Sequence, residues 1–78
     1  MRFNERIRSL REEFDFTQSE LAKRFNMTQR KISRLETGDS QPSLHDIFLY
    51  CHFFAVSADY ILGFTDKRKV FPKKSSSD

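Results

Sequence analysis

The sequence predicts an all-α domain of five short helices. Three observations carry that expectation. Apolar side chains recur at the spacing of a helix face, as at Ile7, Leu10 and Phe14. Residues that cap helix N-termini, Thr17, Thr28, Ser43 and Ser57, stand before four of the expected helices. Only two glycines and two prolines occur in 78 residues, which suits helices joined by short connections.

The elements follow in order. Helix one is expected over about Asn4–Phe14. The run Phe16-Thr17-Gln18-Ser19-Glu20-Leu21 opens helix two, Gln18–Phe25. Thr17 caps it, Glu20 completes a capping box, and Phe16 can pack on Leu21 as a hydrophobic staple. Asn26-Met27-Thr28 then stops one helix and starts the next, because Asn tolerates the left-handed conformation that ends a helix. Thr28 caps helix three, Gln29–Thr37, and Met27 and Ile32 offer a second staple. A turn of about three residues between two short helices is the connection of a helix-turn-helix, here over about residues 17–37. Gly38-Asp39-Ser40-Gln41-Pro42 reads as a loop. Ser43 caps helix four with Asp46 at its third position, and that helix runs to about Phe54. Ser57 caps a short helix five, Ala58–Leu62, which Gly63 ends. The pattern stops after Asp66. Residues 1–66 are therefore expected to form the domain, and residues 67–78 a basic flexible tail.

The net charge of +3 conceals a division along the chain. Residues 1–34 hold nine basic and five acidic side chains, residues 35–66 five acidic and no Lys or Arg, and residues 67–78 five basic and one acidic. Such a chain has one side that attracts a polyanion and one that repels it, which favours oriented docking over indiscriminate binding. Helix three belongs to the basic part. At about 100° per residue, Ile32, Leu35 and Glu36 share one side of it. Arg30 and Arg34 centre the opposite side, with Gln29 and Lys31 at its edges. A charged helix face is usually just solvated. The helix-turn-helix spacing argues for the other use, in which Arg pairs with guanine and Gln with adenine.

The segment from Arg6 to Leu62 resembles the lambda-repressor-like family, the Cro or xenobiotic-response-element type of helix-turn-helix. The likeness rests on Leu10-Arg11, Thr17-Gln18, Glu20-Leu21-Ala22, Ile32-Ser33-Arg34-Leu35-Glu36, Gly38, Pro42-Ser43-Leu44, Val56-Ser57 and Asp59-Tyr60-Ile61-Leu62-Gly63. The resemblance implies a DNA-binding transcription regulator, a repressor of bacterial or phage type, acting in the cytoplasm on a pseudo-palindromic operator. Helix three would enter the major groove while helix two crosses the backbone. Gln29, Arg30, Arg34 and Lys31 match base-reading positions, and Thr17, Gln18, Thr28 and Thr37 match residues that meet the DNA backbone. Ala22 matches a small residue at the crossing of helices two and three. Arg11 matches an arginine that pairs with the glutamate at Glu36, which agrees with the inward position of that carboxylate. One departure stands out: the family's loop after helix three is commonly basic, and here it is Asp39-Ser40-Gln41.

Helix four is apolar almost all round, with Leu44, Ile47, Tyr50, Cys51 and Phe54 on one stripe and Leu49 and Phe53 beyond it. A helix of that kind is covered on more than one side. A homodimer, at least on DNA, is the expected cover, through Leu49 and Phe53 with Tyr60 and Phe64 beside them. The alternative is an antitoxin-like or other partner-binding protein that uses the same face.

Other chemistries are not expected. His45 and His52 lie two helical turns apart, about 10 Å, too far to share a metal. The single Cys51 forms no internal disulfide and fits a reducing compartment. No nucleophile motif or Gly-rich phosphate loop occurs, so no enzyme, cofactor or small-molecule ligand is expected. No stretch approaches the roughly 20 apolar residues of a membrane span, and no secretory leader is visible.

Overall fold

A computed structural model describes residues 1–68. Five helices follow one another: α1 Phe3–Glu13, α2 Gln18–Phe25, α3 Gln29–Thr37, α4 Leu44–Phe54 and α5 Ala58–Ile61. No strand occurs among the described residues. The caps set these boundaries. The Thr17 hydroxyl accepts the Glu20 N–H at 3.1 Å, and the Glu20 carboxylate accepts the Thr17 N–H at 2.8 Å. Ser43 and Asp46 repeat this box at the start of α4, at 3.0 and 2.9 Å. Thr28 accepts from the Lys31 N–H at 3.1 Å, and Ser57 from Tyr60 at 3.0 Å. Asn26 ends α2 in the left-handed conformation (φ 56°). Helix α1 begins and ends one residue earlier than expected. Glu5 reaches back to the Arg2 N–H at 2.9 Å and fixes its first turn.

Burial ties these helices into one core. Ile7 and Leu10 of α1 meet Leu21, Ala22 and Phe25 of α2, Ile32 and Leu35 of α3, Tyr50 and Phe54 of α4, and Ile61 of α5. Aromatic edges close its α4 side: Phe25 meets Tyr50 at 4.9 Å and Phe53 at 5.5 Å, and Phe16 meets Phe53 at 5.4 Å. Pairs of this geometry add about 0.5–1.5 kcal/mol each beyond area burial. Phe14, expected on the inner stripe of α1, is instead the C-cap and half-exposed, with its ring against Phe54 at 5.1 Å.

Helix α4 is rotated from the expected orientation. Its buried residues are Asp46, Tyr50 and Phe54. Leu44, expected on the inward stripe, is 84% exposed, and Phe48 is 65% exposed. The physical reason is the packing of Tyr50 on Phe25 and of Phe54 on Phe14, which fixes the inner side and leaves the buried Asp46 carboxylate 3.4 Å from the Lys31 ammonium of α3. With Asp46 drawn inward, residues two positions away turn out. The expected subunit patch is also not one surface. Phe53 packs on α2, Leu49 is half-buried against the core, and Tyr60 is buried beneath the Arg6 guanidinium, 4.0 Å from its ring centre. Phe64 alone of the four stands well exposed, at 79%.

The end of the described chain returns to α1. The Arg68 carbonyl accepts the Ser57 N–H at 3.2 Å, and its guanidinium pairs with Glu13 and lies 5.5 Å from the Tyr60 ring centre. Arg6, 5% exposed, donates to Asp66 at 3.3 Å. Most of the expected tail, residues 69–78, lies outside the described residues.

Candidate nucleic-acid interface

Helix α3 is held by one side and free on the other. Ile32 and Leu35 are fully buried and Glu36 is 6% exposed. A carboxylate at such a depth is costly unless paired. Arg11 of α1 pairs with it in a two-pronged fork, Nε to Oε2 at 2.6 Å and Nη2 to Oε1 at 3.0 Å. The remaining Arg11 donor Nη1 reaches the Phe16 carbonyl at 2.7 Å. Hydrogen bonding to Glu36 outweighs burial and pushes the guanidinium above its ordinary range, so it stays charged. Helix three is thus bolted to α1 at its C-terminal half.

From this ion pair a chain of hydrogen bonds leads to the surface. The Gln18 amide donates to Glu36 Oε1 at 3.1 Å, and its own Oε1 accepts the Gln29 amide at 3.2 Å. Gln18 is half-buried and Gln29 exposed. A side chain at the tip of α3 is therefore held by one at the start of α2, which loses less conformational freedom on binding than a loose one.

Arg30 and Arg34 stand exposed on the outer face. Among the described residues neither lies in an ion pair, whereas Arg6, Arg8, Arg11, Lys31 and Arg68 all do. Lys31, also expected among the base-reading residues, has a carboxylate neighbour. It is half-buried, with its ammonium 3.4 Å from Asp46 Oδ2. Burial pushes the Asp46 carboxyl up, but the Ser43 N–H and hydroxyl, with Lys31, outweigh it and hold the group below its ordinary value. Sequence reasoning saw Asp46 only as a cap. Lys31 and Asp46 are fifteen positions apart, and their meeting depends on the rotation of α4.

Of the residues expected to meet the DNA backbone, Thr17, Thr28 and Thr37 are exposed and Gln18 is half-buried. Thr17 and Thr28 accept N–H groups as caps, which leaves each hydroxyl proton free to donate to a phosphate. Thr37 closes α3, donating to the Arg34 carbonyl at 3.3 Å. Ala22 is buried in the α2 seam of the core. Among the described residues no group of three His, Cys, Asp or Glu side chains could hold a metal ion.

A model of helix-turn-helix proteins matches residues 7–61, which span all five helices almost completely. The chain belongs to the helix-turn-helix family. Its five-helix form is the lambda-repressor-like fold, and the family is one of DNA-binding transcription regulators. The chain is 32% identical over 63 residues to the HTH-type transcriptional activator BcrR of Enterococcus faecalis, covering 81% of this chain and 31% of that protein. It is 31% identical over 62 residues to the uncharacterized HTH-type transcriptional regulator YobD of Bacillus subtilis (strain 168), covering 80% of this chain and 55% of that one. The chain thus spans between about a third and about half of the length of these relatives. No helix among the described residues is long and apolar enough to cross a membrane.

Proposed function

We propose that this helix-turn-helix domain binds double-stranded DNA sequence-specifically, as a cytoplasmic, non-enzymatic transcription regulator. The observation that carries the reading is the outer face of α3, where Arg30 and Arg34 are exposed and, among the described residues, in no ion pair, beside a positioned Gln29. Arg30, Arg34 and Gln29 read base edges in the major groove. Thr17, Gln18, Thr28 and Thr37 meet phosphates, which orient the domain without specifying sequence. Lys31 braces α3 against α4. Repression is the simplest output, since a bound domain excludes other proteins by volume alone. BcrR, by its name, is an activator.

The regulator pairs with a second copy on a pseudo-palindromic operator. The surface that supports this lies on α4: Leu44, Ile47, Phe48 and Cys51, with Ala58 of α5, line an open groove of about 670 Å³. Among the described residues no Lys, Arg, Asp or Glu lines it, and His45 is its one basic side chain, so closing it against its own copy desolvates little charge. Of the four expected interface residues, Phe64 is the most exposed, at 79%. A partner protein seated on the same groove, as in an antitoxin, is the second reading, and the exposure of Leu44 and Phe48 is what favours it.

Arg30→Ala and Arg34→Ala test the assignment. Each is expected to weaken binding to a selected site by about 1–3 kcal/mol and to relax preference at one base pair. Equal losses on selected and random DNA would make them phosphate contacts, and no loss on either would remove them from the interface.

A further inference from the structure

The loop after α3, residues 38–42, holds no Lys or Arg and carries Asp39. The end of α3 makes the need sharper, because the C-terminus of a helix bears partial negative charge. A phosphate passing Thr37 would meet two sources of repulsion and, from the loop itself, no cation.

A cationic residue borders this loop nonetheless. Arg2, Asn4, Thr37, Ser40, Gln41 and Pro42 line a polar cleft of about 330 Å³ between the start of α1 and the loop. The cleft is fixed to the recognition helix. The Asn4 amide donates to the Glu36 carbonyl at 3.3 Å, and the Ser40 N–H to the Arg34 carbonyl at 3.1 Å. Gly38 turns the chain at φ 89° and lies close enough to Asn4 that a Cβ there would come within 3.7 Å of its amide. The Arg2 guanidinium has no carboxylate partner among the described residues. The nearest acid in sequence, Glu5, is occupied by the Arg2 backbone N–H at 2.9 Å.

We infer that Arg2, together with the Ser40 hydroxyl and the Gln41 amide, holds one DNA phosphate in this cleft and stands in for the missing loop cation. The inference rests on the DNA-binding reading above. It adds a contact from the start of α1, far from the loop in sequence. The planar fork of Arg suits a phosphate, and neutral donors beside it complete the seat without adding charge. Such a contact is independent of base sequence and dependent on salt.

The test measures binding of the full chain to a short duplex of random sequence over a range of salt concentrations. The parent, Arg2→Ala, Arg2→Ala/Gln41→Lys and Lys67→Ala are compared, with helicity recorded for each. Arg2→Ala is expected to lower the slope of log affinity against log salt by about 0.9, one phosphate's worth. By the same slope, affinity falls about fivefold near 0.15 M salt and the difference closes towards 1 M. The Gln41→Lys change places a cation back in the cleft and is expected to restore the slope, which a purely structural role for Arg2 would not allow. Lys67→Ala is expected to leave the slope less affected. A parent that binds while Arg2→Ala keeps the parental slope overturns the cleft alone. So does an Arg2→Ala slope that Gln41→Lys fails to restore. A parent with no salt-dependent binding overturns the cleft and the DNA-binding reading together.

Discussion

Removing Glu36 should unsettle the domain more than removing any exposed charge. Its carboxylate accepts three N–H groups, at 2.6 and 3.0 Å from Arg11 and 3.1 Å from Gln18. The two charged side chains are 11% and 3% exposed, so water screens them little. In Glu36→Leu the Arg11 guanidinium keeps only the Phe16 carbonyl. Stranding a buried charge costs about 3–5 kcal/mol. A domain of this size holds about 4–12 kcal/mol in total. At about 4–8 °C per kcal/mol, the melting temperature falls by about 12–40 °C. Arg11→Met strands the carboxylate instead and should cost a similar amount. The double mutant removes both charges. Its residual loss should be about 1–2 kcal/mol, from the unpaired Phe16 carbonyl and Gln18 amide. Urea titrations of the four proteins give the coupling directly, and at least about 2 kcal/mol is expected. Additive single losses, or single losses below about 1 kcal/mol, would refute the argument that this pair fastens α1 to α3.

Two further predictions follow from α4. Asp46→Asn keeps an acceptor at the cap but loses the charge opposite Lys31. Because the folded protein holds the Asp46 carboxyl below its ordinary value, that charge stabilises fully above about pH 4, and its contribution drains as pH falls through the lowered value. Urea midpoints of parent and variant should therefore differ at neutral pH and converge in acid; a difference that persists at low pH would place the effect in packing. Leu44→Glu and Phe48→Glu, on exposed positions, should leave the monomer's melting temperature nearly unchanged while weakening binding to a full operator far more than to a half-site. Unchanged binding to both would exclude this groove as the interface.

The helices were legible because their signals are local. Thr17 with Glu20, and Ser43 with Asp46, specify a boundary within four residues, and Asn26 marks an end by its own conformational tolerance. The Arg11–Glu36 pair was legible through the inward phase of Glu36 on α3 and through resemblance. The rotation of α4 was not. Apolar residues surround that helix, so periodicity does not choose its inner side, and the packing of Tyr50 and Phe54 on other elements does. Phe53 packs on Phe16 and Phe25, and Tyr60 lies beneath Arg6, uses within the fold that the sequence pattern does not announce. Arg6 beneath Asp66 and over Tyr60 was missed for a related reason: a lone arginine among several on α1 carries no local sign of burial.

The central claim is that the outer face of α3 reads a two-fold DNA site. Selection of binding sites from random duplexes by the full chain tests it most directly. The account predicts an enriched pseudo-palindrome with half-sites about 10–10.5 base pairs apart, centre to centre, or a multiple of that. It also predicts that Arg34→Ala, put through the same selection, loses preference at one position in each half. A pool that stays random after repeated rounds, or an enriched site whose preferences are untouched by Arg30→Ala and Arg34→Ala, would contradict it.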